Sequence, residues 1–205
     1  MTNEGTGADA GKPRVPPLYG LVLAGGRSRR FGSDKAALQI EGRALLERTI
    51  GLLRPAVETA YVSVRADQVD DALRSRFPMI ADELPGLGPA GGILAAHGRH
   101  PQAAWLVLAC DLPGLSEAAI RILVQSRDVR TAATAYRSPA DGLIEPLCAI
   151  YEPATLARFQ REAAAGEGLS PREFLSGVAV HMLEPTEADA LINVNTPADL
   201  LRLGK

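Results

Sequence analysis

The sequence predicts a single doubly wound α/β domain built on a mostly parallel sheet. Three observations carry this. Apolar runs at 18–23, 60–64, 79–81 and 104–109 alternate with stretches of helical character, an order that predicts right-handed crossovers in one sheet. The run Ala104-Trp105-Leu106-Val107-Leu108-Ala109 is apolar throughout, as a strand buried on both faces must be. Glycine-rich stretches follow the first and third runs, at 25–32 and 86–92. In doubly wound sheets, ligands bind beyond the carboxyl ends of the strands.

The elements follow in chain order. Residues 18–23 form the first strand, which leads into a cationic, glycine-rich loop. Residues 36–40 read as a short extended piece and Glu41-Gly42-Arg43 as a turn. Leu45, Leu46, Thr49, Ile50, Leu52 and Leu53 recur at helical spacing, and Pro55 ends that helix. Residues 60–64, rich in Tyr and Val, are the second strand. A helix is expected over 67–77, with Asp67 as its cap. The third strand, 79–81, delivers Asp82 at its carboxyl end. A helix over 93–98 follows the second glycine loop. The strand 104–109 ends at Cys110-Asp111-Leu112-Pro113, and Ser116 and Glu117 open a helix to Gln125.

Beyond this point the pattern changes. Strands are expected at 131–136 and 145–151, joined by Ser138-Pro139-Ala140-Asp141-Gly142. Helices are expected at 154–165 and 171–175, and a strand at 178–183. Thr196 caps a final helix with Pro197 in its first position. No internal repeat is visible. Residues 1–17 are polar, with several prolines, and read as a disordered tail, leaving 18–205 as the domain.

Composition narrows the function. With 205 residues, 46% hydrophobic and 22% charged, the chain can bury one sizeable core. A formal net charge of −2 gives no basic field to hold nucleic acid. Cys110 and Cys148 lie in apolar runs and read as buried, reduced thiols. His97, His100 and His181 are scattered, without zinc-ligand spacing. There is no transmembrane run and no secretory segment, so a cytoplasmic location and no membrane partner are expected.

The chemistry concentrates in Leu21-Val22-Leu23-Ala24-Gly25-Gly26-Arg27-Ser28-Arg29-Arg30-Phe31-Gly32-Ser33-Asp34-Lys35. Glycines let main-chain N–H groups approach an anion, and successive N–H groups in a turn form an anion-binding concavity. Arg30 and Lys35 add full positive charges. The guest that fits is a di- or triphosphate. This is neither a Walker A loop nor a G-x-G-x-x-G turn. Asp111 emerges from the buried fourth strand beside this loop. Two like unit charges about 4 Å apart repel by roughly 4 kcal/mol at an effective dielectric of 20, so a carboxylate beside a triphosphate needs a cation between them. Mg²⁺ takes carboxylate and phosphate oxygens, and Asp111 is assigned as its ligand.

The string L-A-G-G-x-S-x-R-x-G-x-D-K resembles the nucleotide-binding signature of the molybdenum cofactor guanylyltransferase (MobA) family. The resemblance extends through Gly88-Pro89-Ala90-Gly91-Gly92, Cys110-Asp111-Leu112-Pro113 and Asn193-Val194-Asn195-Thr196-Pro197. It departs from the family's pattern at Ser63, where Asn is frequent, and at Ala90, where Leu is usual. The resemblance implies a Rossmann-like sheet of the nucleotidyltransferase type. It implies Mg²⁺-dependent transfer of GMP from GTP to the phosphate of molybdopterin cofactor. Leu23, Ala24, Gly25, Gly26, Lys35 and Gly88 would then bind GTP, Asp82 would contact the guanosine, and Asn193 and Asn195 would face the pterin. Lys35, Arg30 and Asp111 would serve the chemistry. Other molybdenum cofactor biosynthesis proteins and acceptor molybdoenzymes are further expected partners. At Gly25, glycine rather than the alanine of related cytidylyl enzymes is expected to leave room for a purine. Cytidylyl transfer, sugar-phosphate nucleotidyl transfer and nucleotide binding without turnover are the alternatives.

Overall fold

A computed structural model describes residues 15–26, 34–82, 84, 86–166, 170–187, 189–194 and 199. Seven strands share one sheet: β1 (Leu18–Leu23), β4 (Ala60–Arg65), β5 (Met79–Asp82), β6 (Ala104–Ala109), β7 (Ala133–Arg137), β8 (Ile144–Tyr151) and β9 (Val180–Leu183). Their order is β5-β4-β1-β6-β8-β7-β9. β8 pairs antiparallel with β6 and β7, and the other pairings are parallel. Only β8 therefore runs against the rest. Two short strands, β2 (Gln39–Ile40) and β3 (Arg43–Ala44), form a separate hairpin.

The burial of β6 explains its composition. All six of its residues are buried, because helices cover both faces of the sheet. On one face lie α1 (Leu45–Leu53) and α3 (Glu117–Gln125), whose Leu46, Ile50, Leu53, Ile120 and Leu123 pack against Val22, Val62, Leu106 and Leu108. On the other lie α2 (Pro89–Arg99), α4 (Pro153–Ala164) and α5 (Pro171–Ser176). Their Ile93, Leu94, Leu156, Phe159 and Phe174 pack against Leu21, Trp105, Val107 and Tyr151. Each such aliphatic or aromatic side chain contributes about 1.5–3 kcal/mol when fully buried. Ser116 starts α3 by accepting from Ala119 N at 3.1 Å, and Ser170 with Glu173 forms a capping box on α5.

Two expected elements differ from those observed. The helix expected over 67–77 is replaced by two 3₁₀ turns, Ala66–Gln68 and Arg74–Arg76. Side chains satisfy the main chain here in place of a helical ladder. Asp71 Oδ1 accepts from Leu73 N and Arg74 N at 3.2 and 2.9 Å, and Gln68 Oε1 accepts from Arg65 N at 3.1 Å. Asp67 is no helix cap and pairs instead with Arg65 at 2.8 Å. The second difference is α2, which starts at Pro89 rather than Ile93. The reason lies in the site. The helix expected after Thr196 falls outside the described residues.

The beginning of the chain also needs adjustment. Residues 1–14 lie outside the described residues, but Pro16 and Pro17, expected in the tail, are tied to the domain. Pro17 O accepts from Ala104 N at 2.9 Å, and Pro16 O accepts from Arg127 Nη1 at 3.1 Å. Arg127 is itself held in a largely shielded two-point pair with Glu152. Removal of 1–14 is expected to leave the melting temperature unchanged. Removal through Pro17 strips acceptors from two buried donors, at about 1–3 kcal/mol each, and should lower it by several degrees. Differential scanning fluorimetry of the two truncations checks both.

Candidate active site

Register brings the site together. Leu23 at the end of β1 lies opposite Ser63 of β4 and Ala109 of β6, and Asp82 of β5 lies opposite Arg65. The carboxyl ends of four neighbouring parallel strands therefore share one edge, and over that edge opens a cleft of about 1050 Å³. Leu23, Ala24, Gly25, Gly26, Lys35, Asp82, Gly88 and Asp111 all line it. Eight residues singled out in the sequence thus converge. Asn193 does not line the cleft but is exposed beside it, since the next residue, Val194, donates its N–H to Asp111 O at 3.0 Å. Arg30 and Asn195 lie outside the described residues.

At the centre is an ion pair. Lys35 Nζ stands 3.0 Å from Asp111 Oδ2, with both side chains mostly shielded from solvent. The residues are 76 positions apart. Asp111 arrives on the end of buried β6. Lys35 arrives on a 3₁₀ turn, Lys35–Ala37, whose start is capped by Asp34 Oδ1 accepting from Ala36 N at 3.1 Å.

Two arginines unremarked in the sequence hold the first glycine loop. Arg74 is 1% exposed. Its Nε and Nη2 donate to Ala24 O at 3.2 and 2.8 Å, and its Nη1 and Nη2 donate to the two carboxylate oxygens of Asp34 at 2.7 and 2.9 Å. Burial opposes its charge, but Asp34 and Asp71 outweigh that and raise its pKa further. Arg65 donates to Gly25 O and pairs with Asp67. No sequence signal marks Arg74, which is one of three arginines between 65 and 76.

The second loop explains the early start of α2. A Cβ on Gly91 would fall 2.5 Å from both carboxylate oxygens of Asp82, and one on Gly92 would fall 2.2 Å from Ser63 Oγ. The glycines belong to the first turn of the helix, and their missing side chains let Asp82 and Ser63 lie against it. Asp82 Oδ1 accepts from Leu84 N at 2.9 Å. At Gly25 a Cβ would meet Arg65 N at 3.3 Å and Arg65 Cγ at 3.4 Å, so the end of β4 also presses on this cleft-lining position.

Asp111 offers one carboxylate, and among the described residues no group of three or more His, Cys, Asp or Glu side chains gathers to form a metal cage. Mg²⁺ bound through one or two carboxylates and completed by substrate phosphates fits that donor set. Among the described residues no helix is long and apolar enough to cross a membrane.

A family model described as the MobA-like NTP transferase domain matches residues 20–183. The chain belongs to this family. It is 35% identical over 195 residues to a Chloroflexus aggregans protein named "Probable molybdenum cofactor guanylyltransferase", covering 89% of this chain and 91% of that protein. A Synechocystis protein, "Molybdenum cofactor biosynthesis bifunctional protein", is 32% identical over 197 residues. The alignment covers 96% of this chain but 56% of that longer relative. The crystal structure of molybdopterin-guanine dinucleotide biosynthesis protein A from Archaeoglobus fulgidus superimposes with a TM-score of 0.72 at 25% identity, covering 90% of this chain and 95% of that one. The fold alone is shared with 4-diphosphocytidyl-2C-methyl-D-erythritol synthase from Anaerococcus prevotii, at a TM-score of 0.67 and 12% identity over 93% and 97% of the two chains. Membership of the family and these relatives make the chain a nucleotidyltransferase.

Cys110 lines the cleft but is no nucleophile. Burial, and then the Asp111 and Asp34 carboxylates, push its thiol up to about 12, while burial and Glu145 raise that of Cys148. Only the thiolate reacts. Ellman's reagent at about pH 8 should therefore label neither cysteine in the native protein and both after unfolding in guanidinium. Labelling of Cys110 in the native state would return it to the list of reactive groups.

Proposed function

We propose that this chain transfers GMP from GTP to the phosphate of molybdopterin cofactor, with release of pyrophosphate. The observation that carries the reading is the Lys35–Asp111 pair in the glycine-lined cleft. A cation and a carboxylate held together there match a ligand that carries both phosphate charge and a metal ion. The names borne by the relatives supply the guanylyl group and the acceptor.

The chemistry asks little of the protein beyond placement. An oxygen of the acceptor phosphate monoester forms a bond to the α-phosphorus of GTP. The bond from that phosphorus to the bridging oxygen breaks, and its electron pair leaves with pyrophosphate. A phosphate monoester is already a nucleophile at neutral pH, so no general base is required. Rate then comes from positioning and charge neutralisation. Lys35 moves its ammonium from Asp111 to the phosphates. Asp111, relieved of Lys35, would hold Mg²⁺, and when bound that ion would supply charge neutralisation for the phosphates. The main-chain amides of Gly25 and Gly26 are the loop donors for the phosphates, since that of Ala24 is taken by Ser63 O at 3.1 Å; by the family resemblance Arg30, outside the described residues, would add charge to the triphosphate. Asp82, lying against Gly91 of α2, accepts from the N1 and N2 donors of guanine in this reading. By the family resemblance, Asn193 and Asn195 would face the acceptor. The two buried thiols suit a reducing compartment, and the reaction is placed in the cytoplasm.

Asp111→Asn should abolish Mg²⁺-dependent pyrophosphate release while leaving the melting temperature near that of the wild type. Near-native turnover in the purified variant would remove Asp111 from the metal site. Lys35→Ala should slow transfer by about 10²–10³, the usual cost of removing one such electrostatic stabiliser.

GTP should be bound in preference to CTP and ATP, because a site with acceptors facing guanine N1 and N2 leaves those groups unpaired against adenine. Competition titrations with Mg²⁺ decide this. A CTP dissociation constant equal to or below that of GTP would reassign the chain to cytidylyl transfer.

A further inference from the structure

We infer that Arg74 is a positioning residue for the nucleotide: its guanidinium fixes the main chain on one side of the first glycine loop and, through Asp34, the turn that presents Lys35 on the other. The inference rests on the nucleotide reading of the cleft and adds a residue that no motif marks.

The contacts form a continuous chain. Arg74 grips Ala24 O with two donors, at the point where β1 gives way to the loop. The same guanidinium meets both oxygens of Asp34. Asp34 Oδ1 in turn caps the 3₁₀ turn that carries Lys35, and Lys35 reaches Asp111. Ala24 and Asp34 flank residues 27–33, so one side chain ties together the two described ends of the loop. Only a planar fork serves both ends at once. A lysine ammonium is a point charge and cannot meet a carboxylate in two-point fashion while holding a carbonyl.

The Arg74 side chain is 1% exposed and its donors are turned to these acceptors, so it offers the phosphates no charge of its own. Its influence on the ligand is through geometry. A second, largely shielded arginine provides a comparison. Arg127, 10% exposed, pairs with Glu152 at 2.7 Å, yet neither residue lines the cleft.

Asp34→Asn gives the sharpest test, because two effects carry opposite signs. Removing a negative charge beside an anionic ligand strengthens binding by simple electrostatics. Losing the two-point grip on Arg74 misplaces Lys35 and weakens it. Mg²⁺–GTP affinity is measured by calorimetry for wild type, Asp34→Asn, Arg74→Lys, Arg74→Met and Arg127→Met, with melting temperatures alongside. We expect Asp34→Asn to weaken GTP binding about tenfold or more, the scale of one charged hydrogen bond. Arg74→Lys should fall between wild type and Arg74→Met, and Arg127→Met should lower the melting temperature without changing GTP affinity. If Arg74→Met fails to fold, Asp34→Asn and Arg74→Lys decide. GTP binding by Asp34→Asn as tight as or tighter than wild type would overturn the inference. So would an affinity loss in Arg127→Met matching that of the Arg74 variants. Failure of the wild type to bind GTP would overturn the nucleotide reading itself and this inference with it.

Discussion

The site depends first on the parallel register between β1 and β6. Leu23 faces Ala109, and Cys110 N reaches back to Leu23 O at 3.4 Å. Those pairings set the first glycine loop and Asp111 side by side at one sheet edge. A shift of one residue would reverse which side chains face α1 and which face α2. It would exchange Val22, buried against α1, for residues now buried against α2, and would carry Asp111 out of reach of Lys35. The two apolar layers that make β6 buried on both faces are thus also what position its one terminal charge. Core packing and active-site geometry are one constraint here.

Electrostatics then divides the cleft into committed and movable charge. Arg65 is tied to Asp67 and Gly25 O, and Arg74 to Asp34, Asp71 and Ala24 O. These guanidiniums shape the wall. Lys35 differs from these in form: a point-charge ammonium on a flexible stem rather than a guanidinium tied to main-chain carbonyls, paired with Asp111 across the cleft. A half-shielded pair of this kind adds little net stability, since desolvation offsets much of the attraction. It does keep an ammonium and a carboxylate preorganised without water having to reorganise. A triphosphate with its metal ion restores both charge balances at once, the ammonium to phosphate and the carboxylate to cation. The pair is therefore best understood as an exchangeable contact.

The parts of this arrangement that could be read from the sequence were those written in periodicity and short motifs. The four parallel strands, the change of pattern after 130, the helix start at Ser116, and the convergence of the two glycine loops with Asp111 all follow from local residue order. What escaped depends on tertiary context. The segment after β4 has helical composition, yet Asp71 and Gln68 satisfy its main chain locally and release it from a helix. Arg74 looks like any solvated arginine until its buried partners Ala24 and Asp34, 50 and 40 positions away, are brought to it by strand order. The close approach of Arg65 to Gly25 was equally out of sight, because that neighbour belongs to a different strand.

The glycines of α2 show how such a site overrides local preference. Each glycine in a helix costs about 1 kcal/mol relative to alanine, and α2 carries two in its first turn. Alanine at either position would satisfy the helix better, and its Cβ would collide with a polar side chain at the cleft edge: Asp82 at Gly91, Ser63 at Gly92. The fold tolerates roughly 2 kcal/mol of unfavourable propensity, and in return a carboxylate and a hydroxyl lie against the first turn of a helix. A carboxylate there is favoured by the partial positive charge of that terminus, which keeps it fixed without a cationic side chain to neutralise it. Asp82 so held retains acceptor capacity toward the cleft beyond the one bond it receives from Leu84 N. The two glycines are therefore better explained as the means of presenting an acceptor to a ligand than as a flexible loop, which is how their composition reads when taken alone.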